Sequence, residues 1–164
     1  MPGLHWSTSN AVFVTEIDDE HKEIFQAVGH VQEVLSSGGP LLELHKATQR
    51  LTSSIVGHFA HEERLMSAAR YGSIRWHKQA HTAARRRVGQ FVLRIEEGDP
   101  AAGVELVDYL TSWLNDHTRV ADRMMAAFLR NQRRCMKLTF RAGTKPLDAC
   151  AWVDVNGNAF DPKN

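Results

Sequence analysis

Six polar residues fall where a helical pattern places apolar side chains, and five of them are histidines. They are His21, His58, Glu62, His77, His81 and His117. Each lies three or four positions from apolar residues such as Ile17, Ile24 and Leu65, which places it on a face turned toward partner helices. A lone histidine on such a face is usually a satisfied core residue. Burying six polar groups without partners would cost several kcal/mol apiece. The pattern therefore predicts that the six side chains together bind another group.

The spacing and types of these side chains indicate metal ions. His58 and Glu62, and likewise His77 and His81, are four residues apart, which places each pair on one helix face. Imidazole-rich sites with a few carboxylates suit iron, zinc or copper rather than magnesium or calcium. Because five imidazoles exceed what one tetrahedral zinc ion can use, the pattern favours two metal ions that share carboxylate ligands.

Turn signals divide the chain into segments that could position this set. The breaks lie at residues 36–40, 71–73 and 98–100. The segments between them are about 20 to 30 residues long, and each carries an apolar stripe at alternating three- and four-residue steps. Thr15 with Asp18 predicts a capping box at the start of the first helix, and Asp99 followed by Pro100 predicts the start of the fourth.

Four amphipathic helices joined by short turns predict an all-α, up-down-up-down four-helix bundle. The candidate ligands lie near the start of the first and third segments and near the end of the second and fourth. In this topology those four ends meet, and at ~1.5 Å rise per residue the depths of the ligands overlap. We therefore expect the six side chains to converge inside one end of the bundle.

Four successive motifs also match those of a known family in type and order. They are Ile17-Asp18-Asp19-Glu20-His21-Lys22, then His58-Phe59-Ala60-His61-Glu62-Glu63, then His77 and His81, then Trp113-Leu114-Asn115-Asp116-His117 with Asp122. On these residues the chain resembles the bacterial hemerythrins, which bind dioxygen at two iron ions. The resemblance extends over roughly residues 5–130.

The resemblance implies a role for each of seven ligands. It implies that one iron is held by His77, His81 and His117, and the other by His21 and His58. Glu62 and Asp122 would bridge the two irons. An oxide or hydroxide would complete the bridge. The iron with two histidines would keep an open position for dioxygen. Four residues match the lining of the family's dioxygen pocket, namely Ile24, Phe59, Trp113 and Leu114. We add Thr118 to the pocket because it directly follows His117.

Asp122 is the one ligand that spacing alone does not select. It lies five residues after His117, which is about 140° around an ideal helix. Geometry without the resemblance would leave this aspartate in solvent. If Asp122 is a ligand, the fourth helix must distort, and a π-bulge is the simplest distortion that turns it inward.

Three residues depart from the family pattern. Phe13 stands where glycine is usual, Glu20 where glutamine is common, and Thr118 where isoleucine usually follows the last histidine. We expect neither Phe13 nor Glu20 to touch the ligands. The Thr118 hydroxyl either faces the dioxygen pocket or bonds the carbonyl of Leu114 one turn back. The histidines expected to lie away from the metals are His5, His30, His45 and His61.

The function implied by the resemblance is reversible dioxygen binding for storage, delivery or sensing, without catalysis. Two alternatives use the same fold. One is a di-iron enzyme that reduces peroxide or nitric oxide, which requires an electron donor and a protonatable pocket. The other is an iron- or oxygen-sensing module in which the C-terminal residues contact a protein partner.

The last part of the chain has no counterpart in the resemblance. We divide the chain into a bundle at residues 1–130 and an appendage at 131–164. Residues 138–140 and 152–155 have an extended pattern, and Asn156-Gly157 is a hairpin-turn signal. Cys135 and Cys150 lie in no metal or redox spacing, so a reduced pair is expected, although they are close enough in sequence to pair.

Composition limits the partners of the chain. Its 164 residues suit one compact domain, and 20 basic against 19 acidic side chains give a net charge of +1. This near balance gives no reason to expect nucleic acid or an anionic membrane as a partner. No apolar run approaches the ~20 residues needed to span a bilayer. We expect a cytoplasmic monomer.

Overall fold

A computed structural model of the chain describes residues 4–142, with side chains to residue 135. Its elements are a 3-10 turn (Thr8–Asn10), α1 (Thr15–Ser36), α2 (Leu41–Ala68), α3 (Ile74–Glu96), α4 (Ala102–His117), a π turn (Thr118–Asp122) and α5 (Arg123–Ala142). The last three follow one another without a break and form the fourth long helix. Helix α1 packs against α2 and α4, and α3 packs against the same two. The predicted up-down-up-down four-helix bundle is confirmed.

The first helix differs in detail from the prediction at its start. Helix α1 begins at Thr15, but the capping box does not form, because the Asp18 carboxylate accepts hydrogen bonds from the backbone N–H groups of Val12 and Phe13 instead. Phe13 has a φ of 61°, in the left-handed region that favours glycine. The hydrogen bonds that Val12 and Phe13 donate to Asp18 thus hold this strained backbone in place before the helix.

The fourth long helix starts two residues later than predicted. Asp99 and Pro100 belong to the turn before it, and α4 begins at Ala102. The Asp99 carboxylate accepts a hydrogen bond from the backbone N–H of Ala101 at 2.9 Å, and Arg94 donates to the same side chain. Asp99 therefore stabilises the turn that delivers the chain into α4.

Apolar side chains fill the bundle on both sides of the predicted ligands. We call the larger region the apolar half; its buried members include Val28, Val31, Leu51, Val88, Phe91, Ile95 and Leu106. Beyond the ligands, at the other end, lie two smaller clusters; they consist of Val12, Val14, Ile17 and Ala126, and of Met66, Tyr71, Met125 and Leu129. The end of the bundle that holds the ligands is called the metal half below.

The extended conformation expected for residues 138–140 is wrong. These residues lie in α5, which runs from Arg123 to Ala142. The 20 residues of that helix contain neither glycine nor proline, so nothing in them stops a helix that is already formed. Residues 152–155 and Asn156-Gly157 lie outside the described residues. Within those, Cys135 has no disulfide partner, and no helix is long and apolar enough to cross a membrane.

Candidate metal centre

The seven predicted ligand side chains converge in the interior of the metal half. All are buried, with exposed fractions of 0 to 7 %. Their donor atoms form two overlapping groups, each with its atoms within 4.8 Å of one another. The larger group contains Glu62, His77, His81, His117 and Asp122. The smaller group contains His21, His58, Glu62 and Asp122. Glu62 and Asp122 belong to both groups and lie between them.

The larger group surrounds a common point. The Nε2 atom of His117 is 3.2 Å from that of His77 and 3.2 Å from that of His81. Asp122 Oδ1 is 3.0 Å from His117 Nε2 and 3.1 Å from His77 Nε2. Glu62 Oε2 is 3.2 Å from His81 Nε2. Three imidazoles and two carboxylates thus aim donor atoms at one position.

The smaller group is looser and uses the same two carboxylates. His21 Nε2 is 3.2 Å from Asp122 Oδ2, and His58 Nε2 is 3.7 Å from Glu62 Oε2. The two imidazole rings meet edge to face with centroids 4.6 Å apart. This side therefore has two protein nitrogens where the other side has three.

The separations fit the edges of a coordination octahedron. Two donors at right angles, each about 2.1 Å from an ion, lie about 3.0 Å apart, close to the shorter contacts in both groups. The oxygens of Glu62 and Asp122 and both nitrogens of His21 have no hydrogen-bond partner among the described residues. Buried charged atoms without hydrogen bonds are costly, and a metal ion between them removes that cost. The residues fit a pair of bound cations.

The two central carboxylates remain ionised at neutral pH. Burial and the Asp122 charge raise the pKa of Glu62, but the surrounding histidines, led by His58, outweigh both and lower it to about 2. Burial also raises the pKa of Asp122, yet the histidines facing it, His117 first, hold that pKa well below its ordinary value. Two negative charges are therefore fixed at the centre of the cluster.

The histidines respond to those charges unequally. Burial lowers the pKa of His77, but Asp122 and Glu62 raise it to about 9. Burial is the main cause of the lowered pKa of His81, which also faces two other imidazoles. Without a metal, a protonated His77 thus offsets one of the two carboxylate charges. A metal ion would replace that proton with a larger positive charge.

A π turn brings Asp122 into the site. Residues Thr118–Asp122 form it, directly after His117, and Asp122 is fully buried. In a π turn the backbone bonds run from i to i+5, so residues five apart come to one face of the helix. The predicted distortion is confirmed. The inward position of Asp122 depends on it.

Two more carboxylates contact the outer nitrogens of the predicted ligands. Glu20 Oε2 is 2.9 Å from Nδ1 of His58, and Glu20 Oε1 is 2.6 Å from Nδ1 of His61. The expectation that Glu20 does not touch the ligands is therefore wrong. A carboxylate on Nδ1 leaves Nε2 unprotonated for a metal, which is a common arrangement around metal-bound histidines. Spacing along α1 gives no signal for this contact, because His58 and His61 lie on α2.

Glu63 has the same relation to His81. Its Oε1 atom is 3.2 Å from His81 Nδ1 and accepts a hydrogen bond from Arg85 at 2.8 Å. The Lys78 ammonium lies 3.4 Å from the other oxygen. Burial raises the pKa of Glu63, but Arg85 and His81 outweigh it and lower the pKa. Each of the two donor groups thus has one histidine whose outer nitrogen contacts a carboxylate, Glu20 on His58 and Glu63 on His81.

Aromatic rings form one wall of the cluster. Phe59 stacks on His81 with ring centroids 3.9 Å apart, and Trp113 stacks on His117 at 4.2 Å. Ile24, Phe59 and Leu114 are buried in the main apolar cluster, and Trp113 packs against it. The five residues assigned to the dioxygen pocket therefore include four that join the metal half to the apolar half.

Thr118, the fifth, has a partner that neither expectation included. Its hydroxyl accepts a hydrogen bond from the Asn10 side-chain amide at 3.4 Å, and the side chain is almost fully buried. Asn10 also donates to Asn115 at 3.0 Å. The Leu114 carbonyl receives the backbone N–H of Thr118. Sequence reasoning missed Asn10, which is more than 100 residues away along the chain.

The other histidines lie away from the seven ligands, with one qualification. His5 is exposed, and His30 faces Glu33 at the surface. His45 lies 3.5 Å from the carbonyl of Ile95, in the apolar half. His61 does not reach the cluster itself but shares Glu20 with His58.

Comparisons with known proteins agree with this geometry. The model of the hemerythrin HHE cation binding domain matches residues 12–129, well over half of the chain. Myohemerythrin-1 from Phascolopsis gouldii is 32% identical over 117 residues, covering 71% of this chain and 87% of that protein. Bacteriohemerythrin from Pseudomonas aeruginosa is 31% identical over 122 residues, covering 74% and 78%.

Similarity to a solved structure supports the fold independently. The crystal structure of a protein that carries a leucine-to-phenylalanine mutation superposes with a TM-score of 0.73 at 22% identity. The superposition covers 79% of this chain and 98% of that one. The residues matched by the family model include every predicted ligand, from His21 to Asp122. The chain belongs to the hemerythrin family.

Proposed function

We propose that the chain binds dioxygen reversibly at a non-heme di-iron centre built from this cluster. The observation that carries the proposal is the overlap of two donor groups at Glu62 and Asp122. A pair of metal ions bridged by two carboxylates accounts for that overlap. The relationship to hemerythrins and myohemerythrins favours iron as the metal.

The donors divide unequally between the two ions. In this proposal His77, His81 and His117 hold one iron, whereas His21 and His58 hold the other. Glu62 and Asp122, together with an oxide or hydroxide, would serve both ions. The side with His21 and His58 offers one protein nitrogen fewer, so it is the side with room for dioxygen. When bound, the iron pair would supply the electrons that reversible dioxygen binding requires.

The charge of the donor set favours binding over oxidation chemistry. Two carboxylates and a hydroxide offset three of the four positive charges of two ferrous ions. Five neutral imidazoles add no negative charge, in contrast to the glutamate-rich sites of ferritin-like di-iron proteins. A site with less anionic donation stabilises high-valent iron less. This supports a reversible carrier rather than an oxidising enzyme.

The walls of the site keep water out. Ile24, Phe59 and Leu114 are each at most 3 % exposed, and Trp113 covers His117. Dry apolar walls would limit the access of water and protons to the ligand position. Storage, delivery and sensing of dioxygen all require this protection, and each remains part of the proposal.

The experiment that tests the proposal is metal analysis with optical spectra recorded under dioxygen and under argon. We expect about two iron ions per chain and a spectrum that changes reversibly between the two gases. His77→Ala should lose the iron held by three histidines and, with both bridges weakened, the second iron as well. His30→Ala, which removes an exposed histidine, is the matched control and should keep both.

Two outcomes would overturn the proposal. One tightly bound zinc ion and no iron would refute the di-iron centre. Sustained turnover of peroxide or nitric oxide in the presence of a reductant, without reversible oxygenation, would show that the same site serves an enzyme.

A further inference from the structure

The π turn that orients Asp122 is contacted at both ends by one short segment from the other end of the chain. At the start of the turn, the Asn10 amide donates to Asn115 Oδ1 at 3.0 Å and to the Thr118 hydroxyl at 3.4 Å. Just past its end, the Arg123 guanidinium donates to the carbonyl of Ser9 at 2.7 Å. The 3-10 turn Thr8–Asn10 therefore spans the π turn.

The 3-10 turn is itself fixed before it meets the helix. Asn10 Oδ1 accepts hydrogen bonds from the backbone N–H and the hydroxyl of Ser7, at 3.3 and 3.2 Å. Arg123 makes a second, longer bond to the carbonyl of Ala11 at 3.4 Å. Asn10 is only 2 % exposed, so its amide is fully committed to these partners. A buried amide whose donors and acceptor are all engaged is both rigid and costly to disturb.

We propose that Asn10 and Arg123 are positioning residues that hold the π turn, and through it the carboxylate of Asp122, in the geometry the metals need. The inference rests on the proposed function, because it assumes that Asp122 is a bridging ligand. The side chains of Asn10 and Arg123 make no described hydrogen bond or ion pair with any of the seven predicted ligands, although Arg123 directly follows Asp122 in the chain. Their effect is transmitted through the helix backbone.

The physical reason is that a π turn is an unfavourable local state. π turns are rare and persist where surrounding contacts over-determine them. A relaxed α-helix would rotate Asp122 about 140° away from His117. The hydrogen bonds at Thr118 and Arg123 fix the two ends of the turn and oppose that relaxation.

A competing account is that the metals alone draw Asp122 inward and that the 3-10 turn merely covers the helix. The two accounts differ in the absence of metal. If Asn10 and Arg123 hold the π turn in place, which we call the clamp, the turn is already ordered before iron binds. If iron does the ordering, residues 118–122 exchange their amide protons freely until it binds.

The test compares Asn10→Ala and Arg123→Ala with wild type in two measurements. In metal-free protein, amide hydrogen exchange at residues 118–122 should accelerate about tenfold in each variant. In iron-loaded protein, release of iron to a chelator should accelerate roughly tenfold, with a shift in the optical spectrum of the iron pair. Arg123→Lys keeps one charged donor and should recover part of both effects.

Two controls separate positioning from general destabilisation. Ser9→Ala removes a hydroxyl that bonds only Ser7 at the surface and keeps the carbonyl that Arg123 uses, so both measurements should match wild type. Val88→Ala lowers stability from within the apolar half and should leave iron release and the spectrum unchanged. Iron release and the spectrum therefore separate loss of these two hydrogen-bonded contacts from loss of stability.

The possible outcomes decide the question. Wild-type exchange and wild-type iron release in Asn10→Ala and Arg123→Ala would overturn the proposal, as would faster iron release without faster exchange at 118–122. If wild-type protein binds no iron, the proposed function fails, but the exchange measurement still decides whether the clamp exists.

Discussion

In the apolar half, Phe91 and Leu106 are buried among other apolar side chains, whereas in the metal half Glu62 and Asp122 are equally buried and charged. The apolar half gains about 25 cal/mol for each Å² of apolar surface removed from water. The metal half gains stability only when its charges are balanced. The comparison indicates that the apolar half supplies the fold and that the metal half depends on what it binds.

The largest effect is expected from cutting into the apolar half. Phe91→Ala should lower the free energy of unfolding by about 3–5 kcal/mol, through lost burial and the cavity left behind. The loss should be similar with and without iron, and the iron content of the folded protein should not change. Chemical denaturation measures the first and metal analysis the second.

A substitution on the same helix provides the control for Phe91. Leu93→Ala alters a side chain that is 60 % exposed and should change stability by no more than about 0.5 kcal/mol. Loss of iron in folded Phe91→Ala would contradict the separation of the two halves.

The next effect concerns pH and belongs to the metal half alone. The pKa of His77 is raised from 6.5 to about 9, so its contribution to stability is complete below about 6.5 and is lost as pH rises through about 9. Metal-free protein should therefore lose up to about 3 kcal/mol across this range, since one pKa unit corresponds to about 1.4 kcal/mol. Iron-loaded protein should not, because the metal replaces the proton.

Denaturation at several pH values measures this difference. His77→Gln should reduce the slope in the metal-free protein to the part that comes from His58, whose pKa burial lowers but Glu62 and Glu20 raise. His30→Gln, at the surface, should keep the full slope. A slope of the same size in metal-free and iron-loaded wild type would mean that His77 is not the group responsible.

A smaller effect is expected outside the ligand set. Glu20→Gln should weaken iron binding about 10- to 100-fold, because the carboxylate on His58 Nδ1 orients that imidazole and increases its basicity. Competition with a chelator of known affinity measures the change. Glu16→Gln, one turn earlier on α1, breaks a surface ion pair with Arg133 and should leave iron affinity as in wild type. Equal affinities in all three proteins would show that Glu20 has no supporting role.

The sequence predicted most of the site because helices translate spacing directly into position. His58 with Glu62 and His77 with His81 identify themselves by four-residue steps on an apolar face. Asp122 does not, because its position depends on a π turn, so only the family pattern selected it. The short turns were also sufficient to predict the bundle.

The contacts that were missed are of a different kind. Asn10 reaches Thr118 across 108 residues of chain, and no periodicity records such a hydrogen bond. Glu20 was dismissed as a departure from the family, although a metal-bound histidine needs a partner for its second nitrogen. Residues 138–140 were misassigned because a three-residue pattern is too short to distinguish a strand from a continuing helix.

The smallest effect is expected at the C-terminus, where the boundary proposed at residue 130 can be tested. Ending the chain after Ala142 should leave the iron content unchanged, because every predicted ligand lies at or before Asp122. Ending it after Arg130 also removes Gln132, which donates to the carbonyl of Ala69 at 3.2 Å, and Arg133, which pairs with Glu16. One partly buried hydrogen bond and one exposed ion pair together contribute about 1–2 kcal/mol at most. The shorter protein should thus unfold slightly more easily while still binding two iron ions, as measured by denaturation and metal analysis on both truncations. Loss of iron from either truncated protein would place part of the metal half's support beyond residue 130 and would remove the boundary between bundle and appendage.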